Sequence, residues 1–257
     1  MLPMTATDRV QSEKLFHDTQ ARKRAVHFQF QPESLTFPDD DFLDHETWIR
    51  PAMAMLGDLS GKDALDYGCG HGMASVVMAR RGARVTSFDL SDDYLSEASR
   101  RAAANHVAIR FVQADGHCLP FDDASFDAVW GNAILHHLDL TIAGRELRRV
   151  MRPQGVAVFC EPWRDNPILS FARRRLPYPG KARTPDEVPL GDADLSKLSA
   201  VFSHVECHGF QLLSMVHRVL PIKPLTGALH RIDGELMRRL PALKKFCRYM
   251  VIVLRSG

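Results

Sequence analysis

The spacing of apolar residues changes twice along this chain. Between residues 9 and 28, Val10, Leu15 and Phe16 recur among charges at the spacing of one helix face. Residues 31–41 carry Pro32 and Pro38 and predict a loop. Residues 42–56 predict a second helix that Pro51 kinks or restarts. From residue 62 onwards, short apolar runs alternate with helical stretches. Strands are predicted at 62–67, 84–90, 109–113, 126–131 and 156–161, with helices over 71–81, 91–105 and 141–151 between them. Gly82 stops the first of these helices. Ser91 caps the second, with Asp92 and Asp93 in its first turn. Strands separated by helices imply an α/β fold built on a parallel sheet with right-handed crossovers.

After residue 162 the regularity breaks. Residues 163–190 hold Pro167, Pro177, Pro179, Pro185 and Pro189 with aromatic and basic residues between them, the pattern of a lid or binding loop. A short helix is predicted over 192–202, a long sixth strand over 205–219, an apolar and basic helical insertion over 222–245, and a last strand over 246–254. The expected organisation is an N-terminal helical segment, 1–60, that covers the mouth of a site, followed by one domain, 61–257, with lid insertions at 163–190 and 222–245. Phe171, Tyr178, Leu225, Leu229 and Met237 would wall an enclosed pocket or simply pack a cap. Trp48 and Arg50 fit the site mouth and plain packing equally.

Composition narrows the function classes. Hydrophobic residues are 45% and charged residues 25%, ordinary values for a soluble globule. A formal net charge of +2 leaves no electrostatic footprint for nucleic acid, and Arg173, Arg174 and Arg175 read as a solvated or lid-edge cluster. The five cysteines are widely spaced and lie mostly in apolar runs, so they read as reduced thiols of a cytoplasmic protein. No signal-peptide pattern opens the chain. No apolar run approaches the roughly 18 residues of a membrane span. No metal site is expected: Cys207 would point away from His204 and His208 on a strand, and Asp39, Asp40 and Asp41 fix no ligand geometry. Nothing in the pattern sets an oligomeric state.

The candidate chemistry lies at the end of the first strand. There Asp66 leads into Gly68, Gly70 and Gly72, which alternate with Tyr67, Cys69 and His71. A glycine-rich turn between a strand and a helix lets a ligand approach the backbone and the free N–H groups of the helix start. A dinucleotide fingerprint needs two residues before the third glycine, and this turn has one. An acidic residue followed by G-x-G-x-G resembles the first motif of the class I S-adenosylmethionine-dependent methyltransferases. The run with Pro120, Phe121, Phe126 and Asp127 is similar to a second stretch of that family. The resemblance is strong over about residues 60–162 and weak elsewhere.

The resemblance implies a Rossmann-like, seven-stranded, mostly parallel sheet with helices on both faces and the seventh strand antiparallel between the fifth and sixth. It implies that Asp66, Tyr67, Gly68, Cys69, Gly70 and Gly72 surround the methionine end of S-adenosylmethionine. It also places Asp115 and Gly116 by adenine, where a loop carboxylate capping local N–H groups is the plainer alternative. Asp89, with Leu90 beside it, ends the second strand about 20 residues past the glycine turn, where a carboxylate can hold ribose hydroxyls. Dinucleotide enzymes use such a residue too. Asn132, His136 and His137 follow the fourth strand, in the loop that in the family lines the methionine moiety of the cofactor, where Asn132 can hydrogen-bond, and faces the methyl acceptor. Either histidine, or Glu161 at the end of the fifth strand, could take a proton from the acceptor. The alternative for the histidines is packing or orientation.

The expected function is therefore methyl transfer from S-adenosylmethionine to a small, lipophilic or aromatic acceptor, of the kind met in secondary metabolism. Three readings compete with it. One is a protein of the same fold that binds the donor without methyl transfer, as a scaffold or cyclase. Another is an RNA methyltransferase, which needs a basic face. The third is a nicotinamide-dependent reductase, which the glycine spacing opposes.

Overall fold

A computed structural model describes residues 6–30, 32–167, 169–171, 188–218 and 223–257. Its centre is β1 (Asp63–Tyr67), whose last four residues are all buried. A strand covered on both faces reads as a continuous apolar run, which is why 62–67 stands out in the sequence. Around it lie β2 (Arg84–Asp89), β3 (Ile109–Gln113), β4 (Phe126–Asn132), β5 (Met151–Pro162), β6 (His204–Phe210) and β7 (Tyr249–Arg255). The sheet order is β3-β2-β1-β4-β5-β7-β6. Neighbours from β3 to β5 are parallel, and β7 runs antiparallel to both β5 and β6. This is the seven-stranded Rossmann-like arrangement that the sequence implied.

Alternate residues of each strand feed two cores. Ala64, Trp130, Val158 and Val251 face one side, with Phe42, Trp48, Met53, Val76 and Val77 packed on them. Leu65, Tyr67, Val129, Phe159 and Ile252 face the other, against Leu140, Leu147, Val150, Leu198 and Phe202. The helices of the described residues are α1 (Ala6–Phe30), α2 (Asp39–Leu43), α3 (Ile49–Ala54), α4 (Met73–Arg80), α5 (Asp92–Ala104), α6 (Leu140–Val150), α7 (Asp192–Ser199) and α8 (Lys223–Arg239), and it is α2, α3, α4, α6 and α7 that reach these cores. The connection leaves β1 towards β2 and β3, then returns to place β4 on the other side of β1. The crevice at such a switch point is where ligands bind in α/β sheets.

Several boundaries differ from the sequence reading. The acidic run Asp39–Asp41 is the first turn of α2, where carboxylates complement the helix dipole, and Asp39 also pairs with Arg80. Pro51 lies in the first turn of α3, where its missing N–H would have had no helical partner. β6 stops at Phe210 instead of running to 219. Gln211 turns left-handed (φ 60°), and Asp233 of α8 accepts the N–H groups of Leu212, Leu213 and Ser214. Those groups are therefore not available to a strand ladder. The last strand begins at Tyr249 because Pro241–Phe246 forms a 3-10 turn.

The N-terminal helix docks along α5. Arg24 pairs with buried Glu97, Lys14 with Asp92 and Arg22 with Asp93, and Ser91 donates to Asp18. Trp48 stacks on Tyr249 with ring centroids 3.8 Å apart, so it is packing at the sheet that holds this indole. Arg50 pairs with Asp40 and Asp44 on the surface. The proline-rich stretch around Tyr178, expected as a lid, the Arg173–175 cluster and the side chain of Leu225 lie outside the described residues. Phe171 is 64% exposed. Among the described residues no helix is long and apolar enough to cross a membrane. All five cysteines are free: Cys160 and Cys247 are buried, Cys69 and Cys207 half-buried, and Cys118 exposed.

Candidate active site

The glycine turn is shaped by contacts at both ends. Gly68 has φ 69°, and a Cβ there would lie 2.7 Å from Ile134 Cγ1. Gly72 has φ 78°, and a Cβ there would lie 2.7 Å from Ala98 Cβ. Only glycine allows the turn to pass that closely between the loop after β4 and α5. Between them, Gly70 donates its N–H to Asp89 Oδ2 at 2.8 Å. The other oxygen of Asp89 accepts from Ser91 N at 2.9 Å. Ser91 also caps α5 through its hydroxyl, so Asp89 is not the cap but the link between the glycine turn and the β2–α5 turn. Burial pushes its carboxyl above the ordinary range, opposed by the two amides and by His17.

Three more predicted residues brace this turn or its surroundings. Asp66 is buried and receives the hydroxyl of Ser75, which in turn receives that of Ser87. Burial pushes the Asp66 carboxyl up to about 7, against the Ser75 bond and reinforced by nearby Asp89. The Tyr67 hydroxyl donates to the Gly116 carbonyl at 2.7 Å, and a Cβ on Gly116 would meet that hydroxyl at 2.6 Å. Asp115 Oδ1 accepts from His117 N at 2.9 Å and faces His117 Nδ1 at 2.7 Å. The other nitrogen of His117 accepts from Asp139 N at 2.9 Å, so Nδ1 carries the hydrogen. The His117 bond holds the Asp115 carboxyl below its ordinary range. The alternative reading of Asp115 thus holds for one of its oxygens, while the residue still faces the cavity.

The loop after β4 separates the three catalytic candidates. Glu161 Oε1 accepts from Ile134 N at 2.9 Å and Leu135 N at 2.8 Å, and Oε2 faces His136 Nδ1 at 2.7 Å. Glu161 and His136 are both buried beneath the turn. His137 is the neighbour that reaches the cavity wall.

That cavity, of about 240 Å3, lies at the carboxyl ends of β1, β2 and β4. Asp66, Tyr67, Gly68, Cys69, Gly70, Asp89, Leu90, Asp115, Gly116, Asn132 and His137 all line it. Gly72, His136 and Glu161 stand behind its wall. The Leu90 carbonyl receives Lys14 Nζ at 3.3 Å and Gln113 Nε2 at 3.2 Å. Phe42, Tyr94 and Trp130 add aromatic surface, and Glu13, His17 and Gln20 of α1 close one side. Sequence spacing gave no sign of those α1 residues, because their place depends on how the helix docks. His71 supplies a further group. Burial, with Arg24 and Arg101 nearby, holds its imidazole down to about 4, and its buried Nδ1 meets no partner among the described residues. A neutral ring nitrogen, a half-buried turn of backbone and two carboxylates around one crevice suit the polarity of a bound adenosyl amino acid.

Residues 65–159 match a family described as a methyltransferase domain. The chain is 44% identical over 158 residues to a malonyl-[acyl-carrier protein] O-methyltransferase of Enterobacter lignolyticus, covering 60% of this chain and 58% of that protein. It is 34% identical over 152 residues to a demethylmenaquinone methyltransferase of Clavibacter sepedonicus, covering 59% and 61%. The chain thus spans about three fifths of the length of these curated relatives. A solved S-adenosylmethionine-dependent methyltransferase from Mesorhizobium loti shares the fold, with TM-score 0.58, 22% identity and coverage of 83% of this chain and 100% of the other. The glycine turn, the strand order and these likenesses agree: residues 65–159 match a methyltransferase domain, on a fold shared with S-adenosylmethionine-dependent methyltransferases.

Proposed function

We propose that this chain transfers the methyl group of S-adenosylmethionine to a small acceptor held in the cavity at the ends of β1, β2 and β4. The observation that supports this most is the convergence of the Gly70 N–H, Asp89 and Asp115 on one crevice. When bound, S-adenosylmethionine supplies a methyl carbon already activated by its sulfonium. The backbone of residues 68–71 and the neutral ring of His71 would hold its amino-acid end. Asp89 has lone pairs left for ribose hydroxyls after its two amide bonds. Asp115 Oδ2 is left for the adenine amino group. The rest of the task falls to alignment and the exclusion of water. Phe42, Trp130, Ile134 and Leu138 give the cavity an apolar wall, which supports a lipophilic or aromatic acceptor. The relatives act, by their names, on a malonyl carrier protein and on demethylmenaquinone, two unlike acceptors on one donor scaffold.

Of the three catalytic candidates, His137 is the one that lines the cavity, which supports it as the group that meets an acceptor. Glu161 and His136 set the loop that carries it. Calorimetric titration with S-adenosylmethionine, S-adenosylhomocysteine and NADH tests the donor. Binding of the two sulfur compounds and not NADH is the expected outcome, and binding of NADH alone would sink the reading. Methyl incorporation into a panel of quinols, phenols and carboxylic acids then separates methyl transfer from donor binding alone.

A further inference from the structure

On the proposed acceptor side, the cavity wall joins two parts of the chain that are far apart in sequence. His137 comes from the turn after β4, and Glu13 and His17 come from α1. Glu13 Oε1 stands 3.5 Å from His137 Nδ1, and both side chains are largely buried. The His17 ring meets the His137 ring edge-on, with centroids 5.7 Å apart. Another titratable neighbour of His137 is His136, whose ring lies 4.2 Å away and is itself turned towards Glu161. His17 also interacts electrostatically with Asp89, which lines the same cavity.

We infer that Glu13 is a positioning residue that fixes the tautomer of His137, so that the acceptor is one with a dissociable O–H or N–H. This rests on the methyltransferase reading of the cavity. A carboxylate only accepts hydrogen bonds, so the ring nitrogen facing it carries the hydrogen. With Nδ1 protonated, Nε2 holds a lone pair. At 3.5 Å the pair does not close a hydrogen bond in this structure, and contacts of this kind shorten when a site fills. In the reaction, the acceptor's proton passes to His137 Nε2. The electron pair of its O–H or N–H bond forms the bond to the methyl carbon, and the pair of the broken carbon–sulfur bond returns to sulfur. The imidazolium then releases the proton to solvent. The similar pair of His136 and Glu161 has no such outlet, because it lies beneath the turn and holds two backbone N–H groups.

The test is nuclear magnetic resonance of the full chain labelled with nitrogen-15 histidine, at pH 8 with saturating S-adenosylhomocysteine. Loss of one signal in His137→Gln assigns the ring. The inference expects His137 to be mainly Nδ1-protonated, the reverse of the preference of free histidine. It expects that excess to fall at least several-fold in Glu13→Gln and to return in Glu13→Asp. A wild-type ring that is mainly Nε2-protonated overturns the inference, as does a tautomer ratio that ignores Glu13→Gln. The donor reading fails separately: if S-adenosylhomocysteine does not bind the wild-type chain, that reading falls, while the tautomer can still be read on the free protein.

Discussion

Asp66 and Asp89 are two buried carboxylates on one cavity with opposite surroundings. Asp89 is held by two amides, Asp66 by one hydroxyl. Replacing Asp89 by Ala removes both its grip on the turn and the proposed ribose contact, so S-adenosylhomocysteine affinity should fall at least about tenfold, as for a lost charged hydrogen bond. Unchanged affinity in a titration would remove that assignment. Asp66 makes a pH prediction. Its folded pKa, about 7, is raised above the ordinary carboxylate range. The folded state therefore keeps a proton that the unfolded chain gives up. The stability this confers is complete below about pH 4 and is lost as pH rises to about 7, up to about 4 kcal/mol for a shift of this size. Asp66→Asn mimics the protonated form. Relative to wild type, its melting temperature should rise between pH 4 and 8, and parallel melting curves would refute the assignment.

These two residues were legible in the sequence because the demand on them is local: a turn of one conformation at the end of one strand. The histidines were not. The two adjacent rings lie only 4.2 Å apart, and which one reaches the cavity depends on Glu161, on another strand. Glu13 and His17 were less legible still, since α1 reaches its place through pairs that span more than 70 residues, such as Lys14 to Asp92 and Arg22 to Asp93.

At the scale of elements, the turn after β4 hangs on β5. Glu161 satisfies two of its backbone N–H groups and one imidazole while fully buried. Glu161→Ala would strand all three, at a cost of roughly 3–5 kcal/mol, as for breaking a buried pair. Glu161→Gln keeps an acceptor and should cost about 1–3 kcal/mol. Chemical denaturation of the two variants gives the comparison, and equal stabilities would show that the carboxylate does not brace the turn. The strands themselves were readable because burial on both faces leaves few other patterns for β1, β4 and β5. The end of β6 was not readable. The apolar run continues past Phe210, and what stops it is Asp233, 19 to 21 residues further on.

At the scale of the molecule, the carboxyl edge of the sheet is enclosed by segments from both ends of the sequence. Gln211 donates to Glu46, Trp48 stacks on Tyr249, and α1 lies across the β2–α5 turn. The clasp of α1 is uneven. Glu97 is 1% exposed where it meets Arg24, whereas the partners in Lys14–Asp92 and Arg22–Asp93 range from 33% to 69% exposed. Exposed pairs weaken as the Debye length contracts, from about 8 Å at physiological salt to about 3 Å at 1 M. If a bound nucleoside leaves only when this helix lifts, its residence time becomes a function of ionic strength. Stopped-flow displacement of S-adenosylhomocysteine should then speed up several-fold between low salt and 1 M, more than the equilibrium affinity changes. Arg22→Ala should already be fast at low salt. A dissociation rate indifferent to salt would mean that the nucleoside leaves by another door.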